Sequence, residues 1–134
     1  MKRGAMLVEL LIALAVATMA IVGLVSLTTR SISTAGYSKR QSTATAYANQ
    51  AMEWIRSEKN ADWQAFSTHS GSYCLNSLVW TTGSCPKILD SGTFSRGVVI
   101  SSPAPQQMQA VVTVSWSEAG KDFSAKQTTI FARY

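Results

Sequence analysis

The sequence predicts an α+β fold, in which a long N-terminal α-helix packs on a small antiparallel β-sheet headgroup. Three observations predict it. An almost wholly apolar run fills residues 5–27. A second, proline-free stretch from Thr28 to Lys59 repeats apolar and small residues at helical spacing. The C-terminal third alternates apolar and polar residues in three runs separated by turn-forming segments.

The apolar run comes first. Crossing a bilayer as a helix takes about 20 residues, and residues 5–27 reach that length. A secretory h-region is shorter, about 7–15 residues, although Ser33-Thr34-Ala35 offers a signal-peptidase-like site. Lys2 and Arg3 precede the run and Arg30 follows it. That asymmetry places the N-terminus in the cytoplasm and the rest of the chain outside. Ala13, Ala17 and Ala20 are spaced so that helix backbones approach closely in an apolar medium.

One acid, Glu9, lies inside the run. A charge at mid-bilayer costs on the order of 3 kcal/mol, and less near the end of a span, where the side chain reaches the interface. A simple anchor gains nothing from it. A cut between Gly4 and Ala5 would create an α-amino group on Ala5, with Glu9 as the fifth residue after the cut. A neighbouring, axially shifted copy would present that amino group to Glu9, which points to a packed helical assembly.

In the second stretch, Ala44, Ala48, Ala51 and Ile55 recur at spacings of four, three and four, one face of a helix. Gly23 and Gly36 are places where the helix could loosen, bend or break. If continuous, the helix from Ala5 to Lys59 is about 80 Å long.

The β-region follows. In residues 94–101, Phe94, Val98 and Ile100 share a face. In residues 108–116, Met108, Ala110, Val112, Val114 and Trp116 do so. Residues 123–134 form a third run, with "SPAPQQ" and "SEAGKD" as the connections. A three-stranded antiparallel meander with one face on the helix is expected. Trp54, Trp63 and Trp116 read as packing residues. Cys74 and Cys85 are the two cysteines of the chain. Outside the cytoplasm such a pair argues for a disulfide, which stabilises a short loop by about 3 kcal/mol in the chain-entropy model.

"MKRG" followed by "AMLVELLIALAVA" resembles the class III prepilin signal of type IV pilins and type II secretion pseudopilins. "STATAYANQAMEWIRS" and the "VTVSW" region resemble PilV-type minor pilins. The resemblance implies a pilin-like fold with three parts: a leader, residues 1–4; a transmembrane and assembly half-helix, residues 5–27; and a headgroup, residues 28–134. It implies cleavage by a prepilin peptidase between Gly4 and Ala5, N-methylation of Ala5, and an assembly role for Glu9 in setting register. The implied partners are other pilin subunits, the peptidase, an inner-membrane assembly platform and membrane lipid. The protein would sit in the inner membrane before assembly, and in an extracellular pilus or periplasmic pseudopilus afterwards. Ala5 stands where many major subunits have Phe, and the span lacks proline; both departures point to a minor pilin or pseudopilin.

The remaining composition narrows the function classes. The formal charge of +5 is spread out, with no basic run longer than Lys39-Arg40, so nothing marks a nucleic-acid footprint. No G-x-S-x-G, P-loop or dinucleotide fingerprint is present, and the single histidine, His69, sits in a loop-like "STHSGS". No catalytic residues, metal or cofactor are therefore expected, and the chain is not read as an enzyme. Beside a minor pilin stand a type II secretion pseudopilin, a bitopic or secreted binding module that forms no fibre, and a DNA-uptake pilin whose mild basicity would help hold phosphate.

Overall fold

The computed structural model describes the backbone of residues 2–133 and the side chains of residues 6–133. Tyr134, included in the expected third β-run, lies outside the described residues. The elements are α1 (Lys2–Ala61), α2 (Trp63–Thr68), β1 (Gly71–Cys74), β2 (Phe94–Ala104), β3 (Gln107–Glu118) and β4 (Lys121–Ala132). Helix α1 continues through Gly23 and Gly36 without a break. A single glycine costs a helix about 1 kcal/mol, which the hydrogen bonds of the flanking turns outweigh. The chain divides into two units, residues 1–38 and 39–134, and each is described by itself.

In the second unit the sheet has four strands in the order β1-β2-β3-β4, all antiparallel. The three expected strands are β2, β3 and β4; β1 extends the meander to four. Its sequence, Gly-Ser-Tyr-Cys, is too short and too polar to show alternation. Its register comes from pairing, with Gly71 opposite Ile100 and Cys74 opposite Gly97.

Turn chemistry sets the other registers. Ala119 and Gly120 both have positive φ, 49° and 74°, which gives the two-residue turn that matches strand twist and pairs Glu118 with Lys121. Between β2 and β3, Pro105 is followed by Gln106 at φ 58°, the pattern of a type II turn. The register shifts between Ser101 and Ala104, where Pro103 has no N–H to give the ladder.

The core of this unit lies between the C-terminal half of α1 and one face of the sheet. Ala44, Ala48, Ala51, Met52 and Ile55 of α1 are buried with Phe94, Val98 and Ile100 of β2 and with Met108, Ala110, Val112, Val114 and Trp116 of β3. The alanines of α1 leave room for the larger residues of the sheet. Helix α2 adds Phe66 to the same core; Asp62 caps it by accepting from the Ala65 N–H at 3.1 Å. Trp116 is fully buried, while Trp54 and Trp63 pack on the edge of the core.

Candidate functional site: an apolar helix with one acid

Two places hold groups that a minimal fold would not need: the exposed apolar segment of α1 in the first unit, and a buried arginine in the second.

The first unit carries a helix long and apolar enough to cross a membrane, near the N-terminus, with none of its apolar stretch buried within the protein. Its large apolar side chains from Met6 to Leu27 are between 57% (Val8) and 76% (Met19) exposed. Burying such side chains is worth about 1.5–3 kcal/mol each, so the segment requires lipid or other protein around it. Glu9 is exposed among them. Counting along the helix from Glu9 by steps of four, four, three and three gives Ala13, Ala17, Ala20 and Gly23, all exposed. The acid therefore heads a stripe of small residues on one face, and space around Gly23 is open. Gly4 and Ala5 belong to the first turns of α1; their surroundings, and with them the cleavage and methylation assignments, lie outside the described residues.

One threonine lies inside the apolar run and others follow it, and their hydroxyls are already used. Thr18 donates to Ala15 O at 2.8 Å, Thr28 to Leu24 O at 2.9 Å, Thr29 to Val25 O at 3.0 Å and Thr34 to Arg30 O at 2.9 Å. This back-bonding to the preceding turn leaves the helix surface less polar than its composition.

In the second unit, Arg96 of β2 is 2% exposed. Its Nη1 donates to Gln50 Oε1 at 2.7 Å and to Tyr47 O at 3.1 Å, both on α1. Its Nε donates to Leu75 O at 3.0 Å and its Nη2 to Asn76 O at 3.2 Å. The guanidinium carbon lies 5.8 Å from the centre of the Tyr47 ring. Burial pushes the guanidinium below its ordinary pKa, with Tyr47 acting in the opposite direction. A buried cation satisfied by carbonyl dipoles holds helix, sheet and loop together through geometry.

The cysteines are joined: Cys74 and Cys85 form a disulfide with Cα atoms 5.1 Å apart. Within the loop it closes, Trp80 stacks on His69 with ring centres 4.3 Å apart, meets Tyr73 and Trp54, and donates to Glu58 Oε2 at 3.3 Å. His69 is thus the C-cap of α2 and part of an aromatic cluster. Among the described residues no three His, Cys, Asp or Glu side chains gather into a metal site.

Sequence reasoning passed over Arg96, although a signal was there. Arg96 is in phase with Phe94, Val98 and Ile100, so the alternation that buries those three buries it as well. Asn76 and Gln50, its partners, carry no comparable signal.

No family model, curated protein or solved structure matches the chain.

Proposed function

We propose that the chain is a structural subunit of a type IV pilus, a minor pilin, which assembles through its N-terminal helix. The observation that carries the reading is the spacing of "MKRG", Ala5 and Glu9 at the head of the apolar stretch of α1, whose described side chains, from Met6 to Leu27, are exposed. Inserted in the inner membrane with its N-terminus in the cytoplasm, the subunit is cut after Gly4 and methylated on Ala5. Glu9 then meets the Ala5 amino group of a neighbouring subunit. Two opposite charges about 4 Å apart attract by about 4 kcal/mol at an effective dielectric of 20. That attraction works against the cost of holding a carboxylate in the span, and it fixes axial register. The stripe from Ala13 to Gly23 lets a neighbouring helix approach on the same face.

The test is the intact mass of the protein recovered from membranes and from sheared surface fibres. The expected product lacks residues 1–4 and carries one added methyl group. An N-terminus at Gly36, or a retained Met1, would overturn the reading. Recovery from membranes only, never from fibres, would favour the anchored binding module.

A further inference from the structure

Leu75 and Asn76 follow Cys74 directly, and their carbonyls take two of the guanidinium's donors. The same short segment is stitched to β2 through its backbone. Leu75 N–H donates to Arg96 O at 2.8 Å, and Arg96 N–H donates to Asn76 Oδ1 at 2.8 Å. The Asn76 amide in turn donates to Pro86 O at 2.8 Å, the residue next to Cys85. Cys85 Sγ lies 3.3 Å from Arg96 O. Two of the buried cation's four acceptors, the Leu75 and Asn76 carbonyls, are therefore tied to the far end of the loop, by the Cys74–Cys85 bond and by the Asn76 amide on Pro86 O.

We propose that the Cys74–Cys85 disulfide is a redox switch for the burial of Arg96. In the oxidised chain the Leu75 and Asn76 carbonyls are fixed where Nε and Nη2 need them. In the reduced chain the segment is released, those donors lose their partners, and the guanidinium leaves the core for water. A buried charge that loses its acceptors destabilises strongly, so the loss spreads to the contacts of β2 with α1. Closing the switch removes two electrons and two protons from the two thiols. A disulfide oxidant takes up both and leaves as a dithiol. Dithiothreitol reverses the step, giving up two electrons and two protons and closing to its own cyclic disulfide. The packing of β2 on α1 is thereby completed in an oxidising compartment and not in a reducing one. This inference stands on the second unit alone and is independent of the fibre reading.

The test is a double-mutant cycle on the full-length protein in detergent micelles. It compares wild type, the paired Cys74→Ser and Cys85→Ser variant, Arg96→Met, and all three substitutions together. All four tryptophans, at 54, 63, 80 and 116, lie in the second unit, so their fluorescence reports its melting and not that of the apolar helix. Removing the disulfide should lower the midpoint by at least about 4 °C more in wild type than in the Arg96→Met background, the shift that 1 kcal/mol of coupling gives in a domain of this size. Equal drops in both backgrounds would overturn the proposal. A paired cysteine variant that is unfolded and stays unfolded with Arg96→Met, while Arg96→Met alone folds, would also overturn it. Should Arg96→Met itself not fold, hydrogen exchange of the wild type with and without dithiothreitol decides. The Leu75 and Arg96 amides should lose protection on reduction before those of Val112 and Ala125. An Arg96 amide that stays protected after reduction would sink the idea.

Discussion

The Arg96 guanidinium donates to Gln50 Oε1 at 2.7 Å, joining a charge buried in β2 to an amide on α1, 46 residues away in sequence. Gln50→Ala removes the shorter of the two helix-side acceptors and leaves Nη1 with Tyr47 O alone. The expected loss is about 1–3 kcal/mol, the cost of a buried charged donor left under-satisfied. Gln50→Glu adds a carboxylate at the same reach and should be tolerated far better. Urea unfolding followed by tryptophan fluorescence measures both. Equal losses for the two variants would show that the contact is packing and not hydrogen bonding.

Ala48 is 2% exposed on the face of α1 that meets the sheet. Ala48→Leu forces extra methylenes into a filled space and should cost about 1–3 kcal/mol. Ala13→Leu, on the exposed segment, should leave the tryptophan-detected unfolding midpoint unchanged. Thermal melts of the two variants check the contrast.

Asp122 accepts from Ser117 and from Lys87, the latter at 3.3 Å, and these two hydrogen bonds hold its carboxyl below the usual carboxylate range. A carboxyl whose pKa is depressed by folding contributes stability above its unfolded value, and that contribution is lost as pH falls through the folded one. Wild type should therefore lose stability relative to Asp122→Asn below about pH 4. The group is fully exposed by its surroundings, so the effect is small and screened by salt. Urea midpoints of the two proteins, from pH 6 down to pH 2 at low and high salt, show whether the gap narrows. A gap independent of pH would refute the pairing.

Glu9→Leu separates assembly from anchoring. On the assembly reading, membrane insertion and leader cleavage persist while incorporation into fibres falls sharply. On the anchor reading, abundance is equal or higher, because a charge opposing insertion is gone. The ratio of fibre-borne to membrane-resident protein, by immunoblot of sheared fractions, decides. Partner subunits must be present, since on the assembly reading the amino group that Glu9 meets belongs to a neighbouring pilin.

Much of this fold was legible because its periodicities are long and uninterrupted. Ala44, Ala48, Ala51 and Ile55 were readable at helical spacing, and all are buried. So are Met108, Ala110, Val112, Val114 and Trp116, read by alternation. Strand β1 was not legible, since four residues held by their partner show no pattern of their own. Arg96 was missed for a different reason. Alternation assigns a face, whereas hydrophobicity decides whether a position is noticed, and a buried arginine satisfies the first while failing the second. Its acceptors come from Tyr47, Gln50, Leu75 and Asn76, far apart in sequence and joined only by the closed fold. The acid at Glu9 was legible as an anomaly because an apolar run makes any charge conspicuous.

The threonines of α1 have a consequence for how the helix changes surroundings. Moving a free hydroxyl from water into an apolar medium forfeits its hydrogen bonds, at roughly 1–3 kcal/mol on mutational scales. The hydroxyls of Thr18, Thr28, Thr29 and Thr34 already donate to carbonyls of their own helix, and those bonds travel with it. Their donors need nothing from water, lipid or a neighbouring helix. Those four donors keep the same partners whichever medium the helix meets, so moving it breaks none of these four hydrogen bonds.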